Sequence, residues 1–270
     1  MITSGMMIEI AYRSEMSDGD REQLSEKAEL GDADAQYRWG GELYKADKEE
    51  CAEWWKKAAK QGHVLAQCDL GALYLDGLFV RKDVKYGVAL LRRAAESKCG
   101  CAMYNLAQCY REGVGVKRSK SEYVRLLSCS AKQDYVSAFC DLAWCYREGY
   151  GVKPDYDERK RLLLRAAEMG DVSAMYEYSL DCLEPWNDAS PDVEEGLKWI
   201  HKAAECGDTT AMDDLAYTYA KGRYGVPQNM QTAHYWVLRS ALYNHDEITP
   251  EEAIREFDES LIWDDDDTYI

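Results

Sequence analysis

Small and apolar positions recur along this chain at helical spacing, and the whole pattern repeats after 36 residues. From residue 102 the chain reads Ala-Met-Tyr-Asn-Leu-Ala-Gln-Cys-Tyr-Arg-Glu-Gly-Val-Gly-Val-Lys, and from residue 138 it reads Ala-Phe-Cys-Asp-Leu-Ala-Trp-Cys-Tyr-Arg-Glu-Gly-Tyr-Gly-Val-Lys. Ala102, Leu106, Ala107 and Tyr110 share one helix face, as their counterparts do in the second copy. Each helix is predicted to end at its Gly-x-Gly-Val segment, because glycine adopts a positive φ at little cost.

A second helix is predicted after each glycine turn, so the repeating unit is a helical hairpin. Ser119 and Asp155 are good N-caps, and apolar residues follow both of them at helical spacing. The first helices of similar units begin near six alanines: Ala35, Ala66, Ala102, Ala138, Ala174 and Ala211. The second helices follow six residues of capping types: Asp47, Asp83, Ser119, Asp155, Asp192 and Asn229. Because one hairpin cannot bury its apolar face alone, the units are predicted to stack as a repeat array.

Three recurring elements, Ala-x-x-x-Leu-Gly/Ala-x-x-Tyr, Gly-x-Gly-Val and Lys/Arg-Ala-Ala, resemble those of the Sel1-like repeat family, a relative of the tetratricopeptide arrays. The resemblance extends from about Asp20 to His245. It implies an all-α fold, a right-handed α-solenoid of about six helix-turn-helix repeats with N- and C-terminal capping helices. Members of this family are mostly adaptors that hold other proteins together. A secreted branch of the family has been associated with β-lactam binding or hydrolysis.

We expect one continuous solenoid over residues 18–245, because no Gly/Ser-rich linker divides the chain. Its repeats are predicted near 31–61, 62–97, 98–133, 134–169, 170–206 and 207–245. Asp18 or Asp20 is expected to cap a first helix that runs through Leu30. Thr249-Pro-Glu-Glu predicts the start of a C-terminal capping helix within 246–263, followed by an acidic tail at 264–270. Residues 1–17 fit a strand, a helix or a disordered segment.

The net charge of −17 is concentrated near the C-terminus. Residues 244–270 hold eleven acidic side chains against one basic one, Arg255, and so carry −10 of that charge. Because phosphate contacts need a basic face, we expect no nucleic-acid partner. No apolar run approaches the ~20 residues that span a bilayer, so we also expect no membrane partner.

The ten cysteines scatter along the chain instead of pairing at the repeat period. The secreted branch of the resembling family implies one cysteine pair per repeat. Here only Cys109 and Cys145 recur at a spacing of 36 residues, and residues at equivalent positions should not meet. The N-terminus has neither the basic start nor the long apolar core of a secretory signal. We therefore expect reduced thiols in a cytoplasmic protein.

The sequence lacks the spacings typical of common catalytic and metal sites. It contains no Ser-x-x-Lys and no His-Glu-x-x-His, and its four histidines lack metal-ligand spacing. The Gly-x-Gly elements follow predicted helices and not strands, which makes them turn glycines and not phosphate-binding loops. We expect no catalytic residue, no metal site and no cofactor.

In tetratricopeptide-like arrays the first helices line the inner surface, and this geometry predicts nine partner-binding residues. They are Tyr37, Tyr44, Tyr104, Gln108, Arg111, Trp144, Arg147, Tyr176 and Tyr217. The tyrosines at 37, 104 and 176 follow the family pattern and are equally explained as packing residues. Trp144 and Tyr217 depart from that pattern, so they are either binding anchors for a partner or residues that the twist of the superhelix buries. The two arginines either pair with a glutamate of a neighbouring repeat or accept a carboxylate of a bound peptide.

We expect a monomeric, non-catalytic protein that binds another protein through its concave groove or an edge, as an adaptor or scaffold. The acidic tail favours a basic partner, because opposite charges steer association. Two alternatives stay open. One is a dedicated inhibitor or immunity protein that sequesters a toxin or effector, and the other is a β-lactam-binding or -hydrolysing enzyme of the Sel1-like type.

Overall fold

The computed structural model describes residues 16–44, 46–186, 189–244 and 248–263, without the side chains of the last two. The acidic tail at 264–270 and most of the segment 1–17 lie outside the described residues. In the described part the regular structure is entirely helical, which confirms the all-α prediction. The helices are α1 Asp18–Glu29, α2 Ala33–Leu43, α3 Lys48–Lys60, α4 Val64–Asp76, α5 Val84–Glu96, α6 Gly100–Glu112, α7 Lys120–Ala131, α8 Val136–Glu148, α9 Tyr156–Glu168, α10 Val172–Leu183, α11 Val193–Glu205, α12 Thr209–Lys221, α13 Met230–Tyr243 and α14 Pro250–Trp263, with a 3-10 turn at Arg223–Gly225.

The first helices of the two most similar repeats end where the sequence predicts. Gly113 follows α6 with a φ of 77°, and Gly149 follows α8 with a φ of 65°. Both values lie in the left-handed region, which residues with a Cβ rarely adopt. The backbone N–H of each glycine donates to a carbonyl in the last turn of its helix, so the helix end is closed by the backbone itself.

Five second helices begin after the capping residues that the sequence predicts. The side-chain oxygen of each cap accepts a hydrogen bond from a backbone N–H in the first turn, at Asp47, Asp83, Ser119, Asp192 and Asn229. The sixth second helix, α9, begins directly after Asp155. These bonds satisfy N–H groups that the helix itself leaves without an acceptor.

The cap of the first helix differs from the prediction. Ser17, and not Asp18 or Asp20, caps α1, because its backbone is extended and its Oγ accepts a hydrogen bond from the Asp20 N–H at 3.2 Å. Serine caps helices as well as aspartate does, so the helix starts one or more residues earlier than expected. The helix ends at Glu29, with Leu30 as its C-cap.

The helices form two compact units, one up to Asp155 and one from Tyr156 onward. In the first unit α1 to α8 pack in sequence, each on the next, and the first helices α4 and α6 also contact each other. Second helices supply large core residues, among them Trp55, Leu91 and Leu127, which are fully buried. The Trp55 indole N–H donates to the Tyr37 carbonyl at 3.0 Å, which satisfies its polar atom inside the core.

The second unit repeats this arrangement from α9 to α14. Its second helices bury Leu163, Ile200 and Trp236. The final helix α14 packs on α13 through Ala253, which is buried, and through a contact of 2.8 Å between His234 Nε2 and Asp258 Oδ1. It therefore covers the end of the array as the predicted C-terminal capping helix.

Candidate functional site

Successive repeats are joined by hydrogen bonds at one position of the first helix, which we call the junction position. It is occupied by Asp69, Asn105, Asp141, Glu177 and Asp214. The Tyr37 hydroxyl donates to Asp69 Oδ2 at 2.9 Å, and the Tyr176 hydroxyl donates to Asp214 Oδ2 at 2.6 Å. Each tyrosine belongs to the repeat before the carboxylate that it contacts. These two predicted binding residues therefore take part in contacts between repeats.

The junction at Asp141 gathers several donors around one carboxylate oxygen. Gln108 Nε2 donates to Asp141 Oδ2 at 2.6 Å, and the Tyr123 hydroxyl donates to the same oxygen at 2.9 Å. The Tyr104 side chain also hydrogen-bonds Asp141. All three donors are buried. Burial, and then the nearby Asp141 charge, raise the pKa of Tyr104 and of Tyr123, so both hydroxyls stay protonated donors at neutral pH.

An exposed aromatic surface lies beside this junction. Trp144 on α8 exposes 37% of its surface, and its ring lies 5.2 Å from the ring of Tyr150. The Lys120 ammonium lies 4.5 Å from the centre of the Tyr150 ring, at cation–π distance. Arg147 follows Trp144 by three residues and so shares its helix face. We call the surface formed by Arg111, Lys120, Trp144, Arg147 and Tyr150 the Trp144 patch.

The two repeated arginines of this patch pair with the residue that follows each of them. Arg111 Nε lies 3.0 Å from Glu112 Oε1, and Arg147 Nε lies 2.8 Å from Glu148 Oε1. The expected pairing with a glutamate of a neighbouring repeat is therefore wrong, because an adjacent carboxylate is nearer. Both arginine side chains stay about a third exposed, at 37% and 35%. Arg111 also lies 5.7 Å from the Tyr123 ring, whose edge meets Tyr150 at a centroid distance of 5.8 Å, which connects it to the rest of the patch.

The other predicted binding residues divide by burial. Tyr37, Tyr104 and Gln108 are buried, with at most 8% of their surface exposed. Tyr44 is partly buried, with its ring stacked 6.1 Å from Trp55. Tyr217 in the second unit is also partly buried, and the Arg223 guanidinium lies 5.7 Å from its ring. Their role in partner binding stays a prediction.

Six consecutive segments of the chain match the Sel1 repeat: 33–63, 64–99, 102–135, 137–171, 172–208 and 209–242. Together they cover most of the sequence. The chain belongs to the Sel1 repeat family. Proteins built from Sel1 repeats generally mediate protein–protein interactions. A comparison with curated proteins gave no match.

One solved Sel1 repeat structure shares this architecture over most of both chains. A Sel1 repeat protein from Oxalobacter formigenes is 26% identical, with a TM-score of 0.72 over 83% of this chain and 98% of that one. A protective antigen of uropathogenic Escherichia coli, described as displaying a Sel1-like repeat fold, is also 26% identical, with a TM-score of 0.40 over 82% of this chain and 64% of that one. An immunity protein of Pseudomonas aeruginosa is 20% identical, with a TM-score of 0.49 over 79% and 83% of the two chains.

Several aromatic residues outside the predicted set also reach the surface of the Sel1 repeats, among them Tyr150 and Trp186. Tyr150 lies in a glycine turn, at the place where the preceding repeat has Val114. This difference between two otherwise similar copies could have identified Tyr150 from the sequence. Trp186 in the second unit exposes 63% of its surface and stacks on Tyr156 at a centroid distance of 6.3 Å.

None of the described helices combines the length and the apolar character needed to cross a membrane.

Proposed function

We propose that this Sel1 repeat protein binds another protein without catalysing a reaction, and that the Trp144 patch is its principal contact surface. The observation that carries this proposal is the exposed tryptophan on a first helix, where the preceding repeat has Gln108 and the second repeat has Ala72. Exposing the apolar surface of an indole ring to water costs free energy, because burial of that surface is favourable. A partner that covers it recovers that free energy.

The surroundings of Trp144 suit a binding anchor. Its indole ring contacts the Tyr150 ring, which in turn contacts the Tyr123 ring and Lys120. The Trp144 side chain therefore loses little conformational entropy on binding. Tryptophan, tyrosine and arginine are the residue types that most often dominate binding energy at protein interfaces. The patch combines all three types on one unit.

The charge on the patch favours carboxylate groups of the partner at its rim. Arg111 and Arg147 are each paired with one glutamate, but the exposed part of each guanidinium keeps donors for a second acceptor. Such rim contacts change the association rate more than they change the affinity. The apolar anchor is therefore expected to supply most of the affinity.

The proposal is tested with two tryptophan variants of the immobilised chain. Trp144→Ala and Trp186→Ala both remove an exposed indole, but only the first removes the patch. Proteins captured from the native host should be retained by Trp186→Ala and lost by Trp144→Ala, with affinity for an identified partner reduced by about 10- to 100-fold. Equal capture by both variants at unchanged melting temperature would show that the patch is not the binding surface. Tyr217→Ala then tests the second unit in the same assay.

A further inference from the structure

Three cysteine side chains meet between the second and third repeats. Cys68 on α4 and Cys101 on α6 are buried, with 0% and 2% of their surface exposed, and their Sγ atoms lie only 3.0 Å apart. Cys68 also forms a side-chain hydrogen bond with Cys99, the N-cap residue of α6. Asn105 Nδ2 donates to both buried sulfurs at 3.6 Å. The three thiols therefore form one connected cluster.

The distance between the two buried sulfurs decides between two chemistries. Two thiolates on a tetrahedral zinc ion, each ~2.3 Å from the metal, lie about 3.8 Å apart. A disulfide bond is ~2.05 Å long, so the two sulfurs would need to approach by only about 1 Å. Asp69, whose carboxylate lies within 4.8 Å of both sulfurs, accepts a hydrogen bond from Tyr37 and contributes to the repeat junction. The geometry therefore favours a disulfide over a bound metal.

Cys99 provides the path from solvent to this buried pair. It is partly exposed and stands at the N-terminus of a 13-residue helix, where the helix dipole stabilises a thiolate. Lys98, directly before it, is exposed and adds a positive charge close by. The hydrogen bond with Cys101, then the one with Cys99 and burial, raise the pKa of Cys68. Cys68 is therefore held as a thiol and is not the group that attacks first.

We propose that Cys99, Cys68 and Cys101 form a thiol relay that accepts oxidising equivalents from a small disulfide such as oxidised glutathione and stores them as a Cys68–Cys101 disulfide. The Cys99 thiolate attacks one sulfur of glutathione disulfide, which forms a mixed disulfide and releases one glutathione thiolate. Cys68 loses its proton and attacks Cys99 Sγ, which releases the second glutathione. Cys101 loses its proton and attacks Cys68 Sγ, which returns Cys99 as a thiolate. In total two protein thiols are oxidised, and one glutathione disulfide is reduced to two glutathione thiols.

The product would add a covalent bond between two repeats that contact each other through packing and hydrogen bonds. Cys68 and Cys101 are 33 residues apart, and the bond would link α4 directly to α6. Closing a loop of this length restricts the unfolded chain. The melting temperature of the oxidised protein is therefore expected to rise by about 5–10 °C, and to fall back on reduction.

The test exposes the full reduced chain to oxidised glutathione and maps disulfides by peptide mass spectrometry after trapping the remaining thiols. The expected product is a Cys68–Cys101 crosslink without bound glutathione. Cys99→Ser should slow its formation at least tenfold and still fold, because serine is a preferred N-cap residue. Cys129→Ser removes a partly exposed cysteine outside the cluster and should form the crosslink at the rate of the unaltered chain.

Three outcomes would overturn the proposal. Oxidation could stop at a glutathione adduct on Cys99, which would show that the buried pair does not react. Cys99→Ser could react as fast as the unaltered chain, which would exclude the relay. Finally, one equivalent of Zn²⁺ added to the reduced chain could protect all three thiols from alkylation and prevent the crosslink, which would identify a metal site instead.

Discussion

Replacing Asp141 by alanine should destabilise the junction at Asp141 more than most single substitutions in this protein would destabilise their own repeat. The carboxylate accepts hydrogen bonds from Gln108, Tyr123 and Tyr104, all buried, so its removal leaves three donors with no acceptor. Each buried polar group left without a partner costs about 1–3 kcal/mol. Asp141 itself is only partly buried, which lets water reach some of these donors. We therefore take the lower end of the range and expect a loss of about 3–4 kcal/mol.

Three further variants separate the hydrogen bonds from the change in volume. Asp141→Asn keeps one oxygen that accepts from the same donors and loses the charge, so a loss of about 1–2 kcal/mol is expected. Tyr123→Phe removes one donor and leaves the other two. In the double variant Asp141→Ala/Tyr123→Phe the phenyl ring has no hydroxyl to leave unsatisfied, so the two losses should be less than additive by about 1–2 kcal/mol. Glu96→Ala removes an exposed carboxylate from α5 and serves as the control.

Native-state hydrogen exchange, read by mass spectrometry, measures these losses segment by segment. In repeat arrays each repeat depends mainly on its neighbours, so Asp141→Ala should lower protection in α6, α7 and α8 and leave α12 and α13 unchanged. A loss in α6 to α8 below about 1 kcal/mol would refute the reasoning. An equal loss for Asp141→Asn and Asp141→Ala would show that the acceptor oxygen contributes little.

Other properties of the array should respond in ways that ordinary melting experiments can follow. Gly87→Ala should lower the melting temperature, because a Cβ there would lie 2.8 Å from the Gly71 carbonyl oxygen, whereas Gly41→Ala meets nothing within 4 Å and should be neutral or slightly stabilising. Deleting 249–270 removes α14 and should destabilise the last repeat by several degrees, whereas deleting 264–270 should leave melting unchanged and slow partner association only at low salt. The two buried tyrosines of the Asp141 junction have raised pKa values, so they stabilise the fold below their ordinary pKa of about 10. That contribution should be lost as the pH rises further, which a urea midpoint measured against pH would show.

The helices and their ends were predictable because their signals are local. A capping side chain such as Ser119 bonds a backbone N–H three residues away, and the glycine at 113 determines the turn by its own φ. Neither depends on where the next repeat lies. Apolar spacing then assigns the buried face of each helix, as Leu91 and Leu127 show.

Partner-facing residues were harder to predict because their exposure depends on the next repeat. Tyr37 and Trp144 are both aromatic residues of first helices, yet only the tryptophan is exposed. Tyr37 is covered because its hydroxyl reaches Asp69, which lies 32 residues further along the chain. The sequence held a usable signal, since an acidic residue stands at the same position of the next repeat. When each tyrosine is considered together with the acidic junction residue of the next repeat, the sequence predicts a packing role for the tyrosine.

The junction position also predicts which repeats of this chain could replace one another. Where the preceding repeat supplies Tyr37, the junction residue is the acceptor Asp69. Where the preceding repeat supplies Cys68, the junction residue is Asn105, whose amide donates to the sulfur. A thiol is a weak donor, so an aspartate in place of Asn105 would be buried with little to satisfy its charge. The two residues of a junction must therefore change together, and a repeat with a Tyr–Asp junction inserted here would meet the wrong partner on at least one side.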